Sequence, residues 1–82
     1  MEKSNIIEIV MESVHAVLDD SAVVLTEDTM PEDVDGWDSV THVNLISALE
    51  EKFGIKFSLR EMMSWETIGD LARMIMEKTQ DA

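Results

Sequence analysis

Apolar and polar residues follow one another along three stretches of the chain with the spacing of amphipathic helices. In the first stretch, apolar residues recur every three or four positions from Ile7 to Leu18. Asn5 is followed three residues later by Glu8, a variant of the capping box found at helix starts. We therefore predict a first helix from about Ile6 to about Leu18.

A second apolar stripe extends from Val40 to Phe53 at the same helical spacing. Gly54 follows the last apolar position of the stripe, where a residue in the left-handed conformation commonly ends a helix. We predict that this second helix begins at Asp38 or Ser39 and ends before Gly54.

Two further cap signals divide the last part of the chain. The segment Ser58–Glu61 is a capping box and predicts a short third helix that continues through Met63. The segment Thr67–Asp70 predicts a fourth helix, with one face formed by Ile68, Leu71, Ala72 and Ile75. No stretch reads as a strand of useful length. The predicted fold class is all-α, a four-helix bundle of three longer helices and one short helix.

The connection between the first two helices is long and acidic. It extends from Asp19 to Trp37 and contains the only proline of the chain together with seven acidic residues. Loops of this length are uncommon unless they pack on the core or serve a function. We expect Val23, Val24 and Leu25 to pack under the helix ends and anchor it.

Composition and charge restrict the possible partners. The 82 residues are enough for one domain, predicted to cover residues 1–82, and the net charge is -12. From Ser4 to Glu51 the chain has 12 acidic residues and no lysine or arginine. Such a surface repels nucleic acid and anionic membranes and attracts basic proteins. We expect neither nucleic acid nor a membrane as a partner.

The chain has no cysteine, which excludes disulfides and thiolate metal sites. Any thiol chemistry therefore needs a thiol from outside the chain. The longest apolar run, Ala22–Leu25, is far too short to span a bilayer, and no signal peptide is visible. A cytoplasmic location is expected.

Metal binding and hydrolysis are both disfavoured by the sequence. If Gly36 took the invariant glycine position of a calcium-binding loop, Pro31 and His42 would fall at ligand positions that need oxygen. Ser39 and His42 lie three residues apart on one predicted helix, but a hydrolytic pair also needs an orienting group and an oxyanion hole. We therefore predict neither a metal site nor a hydrolytic pair.

Ser39 lies at the predicted start of the second helix, where its position alone favours a capping role. The surrounding residues point to another role. The segments Asp35–Val40 and Ala48–Ile55, with Leu45 between them, resemble the signature of the acyl carrier protein family, and Thr67–Leu71 resembles the opening of that family's last helix. The resemblance covers nearly the whole chain.

The resemblance implies a covalent cofactor on Ser39, with Asp38 flanking it. In this family a phosphopantetheinyl transferase moves 4′-phosphopantetheine from coenzyme A onto the serine, and acyl groups then travel as thioesters on the arm. The implied partners are that transferase and acyl-transfer, ligase or condensing enzymes with basic docking patches. The residues implied in partner contact are Asp35, Val40, Asn44, Glu50 and Glu51. A monomer is expected.

Several residues differ from the pattern of fatty-acid carriers. Trp37 replaces a usual aliphatic residue, and Thr41, Asn44 and Lys52 occupy positions that are commonly acidic. Fatty-acid, polyketide-like and other specialised biosynthesis all stay open, the specialised pathways being at least as well supported. Two alternatives also stay open: an acidic helical interaction module that is never modified, and a peptidyl or aminoacyl carrier.

The sequence also poses a question about the interior. Apolar residues of the last three helices form either a chamber for an acyl chain or a closed core, and both readings fit the pattern. The residues in question are Leu45, Ile46, Leu49, Phe57, Met62, Met63 and Trp65.

Overall fold

The computed structural model describes residues 2–80 and confirms an all-helical fold, without a strand among those residues. Four α-helices follow one another along the chain: α1 Lys3–Leu18, α2 Ser39–Phe53, α3 Leu59–Ser64 and α4 Ile68–Gln80. A turn of 3₁₀ helix, Pro31–Asp33, lies within the long connection and was not predicted. None of the helices described is long and apolar enough to cross a membrane.

The predicted start of α1 is wrong by one turn. The helix begins at Lys3, and Glu2 precedes it without a side-chain cap, so Asn5 and Glu8 do not form the expected capping box. The ammonium of Lys3 instead lies 2.7 Å from the carboxylate of Glu27 in the long connection. This exposed ion pair joins the first turn of α1 to the long connection.

The other helix ends follow their local signals. Gly54 ends α2 with a φ of 65°, and its N–H donates to the carbonyl of Glu50. At α3, the N–H of Glu61 donates to the Ser58 hydroxyl at 3.1 Å, while the N–H of Ser58 donates to the Glu61 carboxylate at 2.9 Å. The reciprocal pair of Thr67 and Asp70 opens α4 in the same way.

The core lies where α1 packs against α2 and α4. Its members are aliphatic apart from one indole, and most are fully excluded from solvent. The buried apolar residues are Ile6, Val10, Val14, Leu25, Leu45, Ile46, Leu49, Trp65, Ile68, Leu71, Ala72 and Ile75. Burial of this apolar area is the main term that stabilises the fold.

The long connection is anchored by two of its three expected apolar residues. Leu25 is buried and Val23 packs against the core, whereas Val24 is 76% exposed, so the expectation for Val24 is wrong. Burial alternates from residue to residue here, as it does along extended chain, and the middle side chain therefore points to solvent.

The same connection is hydrogen-bonded to the start of α4. The N–H groups of Ile68 and Gly69 donate to the carbonyls of Thr29 and Glu27, at 2.8 and 2.9 Å. A Cβ atom on Gly69 would lie 3.0 Å from the Glu27 oxygen, so the close approach of the two backbones depends on glycine. These bonds satisfy donors that an isolated helix leaves free.

Candidate functional site

The start of α2 is fixed by Asp38, which takes the capping role that position alone favoured for Ser39. The Asp38 carboxylate accepts a hydrogen bond from the N–H of Thr41 at 2.8 Å, and the helix proper begins at Ser39. This bond holds the pKa of the Asp38 carboxyl below its usual value, because it stabilises the ionised form. The aspartate thus stabilises the helix end without help from the serine.

Ser39 is consequently free for chemistry. Its side chain is exposed, and its hydroxyl makes no hydrogen bond within residues 2–80. As the first residue of a 15-residue helix, it lies at the positive end of the helix dipole. An anionic group on this oxygen, such as a phosphodiester, is stabilised there by the dipole and by nearby backbone N–H groups.

A surface groove of about 310 Å³ opens directly beside Ser39. One end is formed by the serine and its capping aspartate, and the rest is largely apolar. The groove is lined by Pro31, Trp37, Asp38, Ser39, His42, Val43, Met62 and Met63.

Two aromatic rings that line this groove pack on a third ring that belongs to the core. The imidazole of His42 stacks on the buried Trp65, with ring centroids 5.0 Å apart and planes inclined by 12°. The indole of Trp37 meets Trp65 edge-on at 6.1 Å. Trp37 and His42 line the groove, and Trp65 lies behind both of them. We call these three residues the aromatic wall.

Hydrogen bonds fix the position of His42 in the aromatic wall. The indole N–H of Trp37 donates to Nδ1 of His42 at 3.3 Å. With Nδ1 as acceptor, Nε2 carries the proton and donates to the carbonyl of Met62 at 2.9 Å. Both ring nitrogens are therefore engaged away from Ser39, and the two residues do not form a nucleophile–base pair.

The residues implied in partner contact all lie on or near α2. Asp35, Val40, Asn44 and Glu51 are exposed, Val40 to 66%. Glu50 differs from them, because it is half-buried and its carboxylate accepts a hydrogen bond from the N–H of Phe57 at 2.8 Å. This contact ties Glu50 to the segment that follows α2, in addition to any contact with partners.

The apolar residues that were predicted to form either an acyl chamber or a closed core lie in different places in the structure. Leu45, Ile46, Leu49 and Trp65 belong to the core, and Phe57 and Met62 pack partly against it. Met63 is 69% exposed and lines the surface groove, so its expected interior position is wrong. A six-residue helix buries only one narrow face, and Met63 lies outside it.

Two features of the site were missed by the sequence analysis. The aromatic wall joins residues that are 5, 23 and 28 positions apart, and no local pattern links them. The exposure of Leu59, at 73%, adds an apolar side chain to the surface at the start of α3. The sequence signal for the exposure of Leu59 was its place directly after Ser58 in a capping box, because the first residue of a helix commonly faces solvent.

No group of three or more side chains that could hold a metal ion is present among the residues described. His15 makes a contact of 2.6 Å between Nε2 and the carbonyl of Val23, and His42 is engaged in the aromatic wall. The two histidines therefore serve packing and hydrogen bonding.

We expect the charge of Asp38 to contribute stability in a pH-dependent way. Folding lowers the pKa of the Asp38 carboxyl. Its contribution to stability is therefore complete at pH values above the pKa of this carboxyl in the unfolded chain, and it is lost as pH falls through the pKa of the carboxyl in the folded protein. Asp38→Asn keeps a capping side chain but removes the charge. The variant should be less stable than the wild type at neutral pH, and the difference should shrink below about pH 4.

Urea denaturation of both proteins between neutral and acidic pH checks this expectation. Asp35→Asn is the control for the general loss of one negative charge, because Asp35 is exposed and does not cap the helix. A difference between wild type and Asp38→Asn that stays constant over the whole range would contradict the assignment.

Comparisons with known proteins agree with this arrangement. The family described as "phosphopantetheine attachment site" matches residues 8–75. A solution NMR structure of a holo acyl carrier protein from Geobacter metallireducens is similar, with 37% identity and a TM-score of 0.84. The match covers 92% of this chain and 86% of that protein. A comparison with curated proteins gives no match. With its four helices and the exposed serine at the start of α2, the chain therefore belongs to the acyl carrier protein family, whose cofactor is covalently bound 4′-phosphopantetheine.

Proposed function

We propose that Ser39 is the residue that holds the phosphopantetheine arm. The observation that carries this proposal is the division of roles at the start of α2: Asp38 caps the helix, and the Ser39 hydroxyl is exposed and unbonded within the residues described. A serine that is not needed for the helix end can be modified without loss of structure. The oxygen lies where a phosphodiester is stabilised by the helix dipole.

The contribution of the chain to attachment is a fixed nucleophilic oxygen. That oxygen forms a bond to the phosphorus of coenzyme A that carries pantetheine, the pyrophosphate bond breaks, and the adenosine part leaves with the other phosphate. The hydroxyl proton passes to the transferase, because among residues 2–80 no basic side chain is hydrogen-bonded to Ser39. When bound, the arm supplies a terminal thiol that holds acyl groups as thioesters, and this chain has no thiol of its own.

Intact mass spectrometry after incubation with coenzyme A, magnesium and a broad-specificity transferase tests the proposal. The wild type should gain the mass of one arm, and fragmentation should place it on the peptide that contains Ser39. An unchanged mass with several transferases, or an arm on another residue, would overturn the assignment.

We further propose that the carrier serves a specialised pathway and works poorly with general fatty-acid condensing enzymes. Acidic residues remain at both ends of α2, namely Asp35 and Asp38 before it and Glu51 near its end. The exposed residues between them include Asn44 and Ser47, which carry no charge. A partner with a continuous basic patch therefore gains no ion pair along the middle of the helix. Attraction from the helix ends alone is screened within about 8–10 Å at ordinary ionic strength.

Transfer by one fatty-acid ketosynthase should reveal this deficit. The acylated protein should be a poorer substrate than a general fatty-acid carrier, and the deficit should narrow from low to moderate salt, because the additional ion pairs of the general carrier are screened. Asn44→Glu should recover part of the difference, because it adds charge to the neutral middle of α2. Ser47→Ala is the neutral control on the same face of α2, and it should recover none of the difference. Equal efficiency of wild type and general carrier at both salt levels would refute the specialised reading.

We also propose a domain organisation, location and set of partners, which membership of the family supports. Residues 1–82 form a single acyl carrier domain, without catalytic activity of its own, that works as a cytoplasmic monomer. Its partners are a phosphopantetheinyl transferase and acyl-transfer, ligase or condensing enzymes with basic docking patches. Light scattering coupled to size-exclusion chromatography measures the monomer mass directly.

A further inference from the structure

The geometry points to the aromatic wall as a specificity determinant that keeps the carried acyl group in the surface groove and out of the helix bundle. The inference rests on the proposed attachment to Ser39, and it deepens that proposal by naming the side of the aromatic wall on which the acyl group lies. Trp37, His42 and Trp65 are the residues that would make this selection.

The position of Ser39 brings any attached group close to the groove. Ser39 lies at one end of the groove, and any group on its oxygen that turns towards the protein meets the groove first. The inner side of the groove is formed by Trp37 and His42, and Trp65 lies directly behind them at ring-centroid distances of 6.1 and 5.0 Å. Rings in contact at these distances leave no space for a methylene chain between them.

Two hydrogen bonds to His42 hold the aromatic wall closed. His42 is fixed on both sides, by the indole N–H of Trp37 and by the carbonyl of Met62. A chain that enters the core at this point must break both hydrogen bonds and displace the ring from its stack on Trp65. Beyond the wall, Leu45, Leu49 and Ile75 are fully buried in the core.

The groove is small and largely apolar. Its volume is about 310 Å³. This is the lower end of the range for small-molecule sites. The outer walls are Val43, Met62 and Met63, and the two flexible thioether chains can adjust to cargo of different shapes. The arm lies between Ser39 and the acyl group and takes up part of this space, so the tail of a long acyl chain extends into solvent.

NMR spectroscopy of the acylated protein separates the groove from the core. Butyryl, octanoyl and dodecanoyl arms are loaded onto Ser39 from the corresponding coenzyme A thioesters. The chain has two tryptophans, and the indole N–H of Trp37 reports on the groove. The methyl groups of Leu49 and Ile75 report on the core. We expect the Trp37 signal to shift with all three cargoes and the core methyl signals to stay unchanged.

Variants of the wall should reverse this behaviour. Trp37→Leu and His42→Ala each remove a ring, and the core methyl signals should then shift increasingly from butyryl to dodecanoyl. Met63→Ala is the matched control, because Met63 lines the groove but lies outside the wall. With this variant the core signals should stay unchanged, as in the wild type.

Hydrophobic-interaction chromatography gives a second readout that does not depend on the variants. If the tail remains outside the bundle, retention of the wild type should rise steeply from the butyryl to the dodecanoyl form. Core methyl shifts in the octanoyl wild type, or equal retention of all three forms, would overturn the inference while leaving attachment to Ser39 intact. A wild type that accepts no arm at all would instead refute the proposed attachment.

Discussion

Ser39→Ala is expected to abolish attachment of the arm completely while leaving the fold unchanged. The hydroxyl is the group proposed to bond to phosphorus, and the capping hydrogen bond at the start of α2 comes from Asp38. Loss of an exposed, unbonded hydroxyl should alter the free energy of unfolding by no more than about 0.5 kcal/mol. Thiol titration offers a simple measurement, because the unmodified chain has no cysteine and each attached arm adds one thiol.

Ser47→Ala is the matched control for this substitution. Ser47 is an exposed serine of the same helix, and its replacement should leave both the thiol content and the stability as in the wild type. Any thiol on Ser39→Ala after incubation with the transferase would show that another residue accepts the arm. A large loss of stability would show that the serine, and not only the aspartate, holds the helix end.

Leu49→Ala is expected to destabilise the protein by about 2–5 kcal/mol, the usual range for a leucine truncated in a close-packed core. Leu49 is 0% exposed and lies on the face of α2 that packs into the bundle. A domain of this length has a total stability of about 4–12 kcal/mol, taking about 0.05–0.15 kcal/mol per residue. The substitution should therefore remove a large part of that stability, and urea denaturation measures it directly.

Leu59→Ala makes the same chemical change at a position that is 73% exposed. Its cost should be no more than about 0.5 kcal/mol, because little apolar area is lost from the interior. Similar losses for both variants would contradict the assignment of the core. The comparison isolates burial, since the two substitutions remove identical atoms.

Much of the fold was predictable because its signals are local. The ends of α2, α3 and α4 depend on Asp38, Gly54, the Ser58–Glu61 box and the Thr67–Asp70 box, each of which acts within one helical turn. Helical spacing of apolar residues likewise reports which face is buried, as for Leu45 and Leu49. The position of Ser39 at a helix start, and the resemblance that gives it a role, could also be read from adjacent residues.

Other features depend on contacts between distant segments. Lys3, in the first turn of α1, forms an exposed ion pair with Glu27, which lies 24 positions away, and the local box of Asn5 and Glu8 is not used. The exposure of Val24 depends on how the long connection lies on the core. Such contacts leave no periodic or capping pattern in the sequence.

At the candidate site, the sequence alone determined that a serine at a helix start lies within the pattern of the acyl carrier family. The sequence left open whether Asp38 or Ser39 caps the helix, because both residue types are good caps, and the structure places the cap at Asp38. The tertiary structure alone also brought Trp37 and His42 onto Trp65, since Trp37 precedes α2, His42 lies within it and Trp65 follows α3. Local interactions can be predicted from neighbouring residues, whereas the aromatic wall forms only when distant segments of the chain pack together.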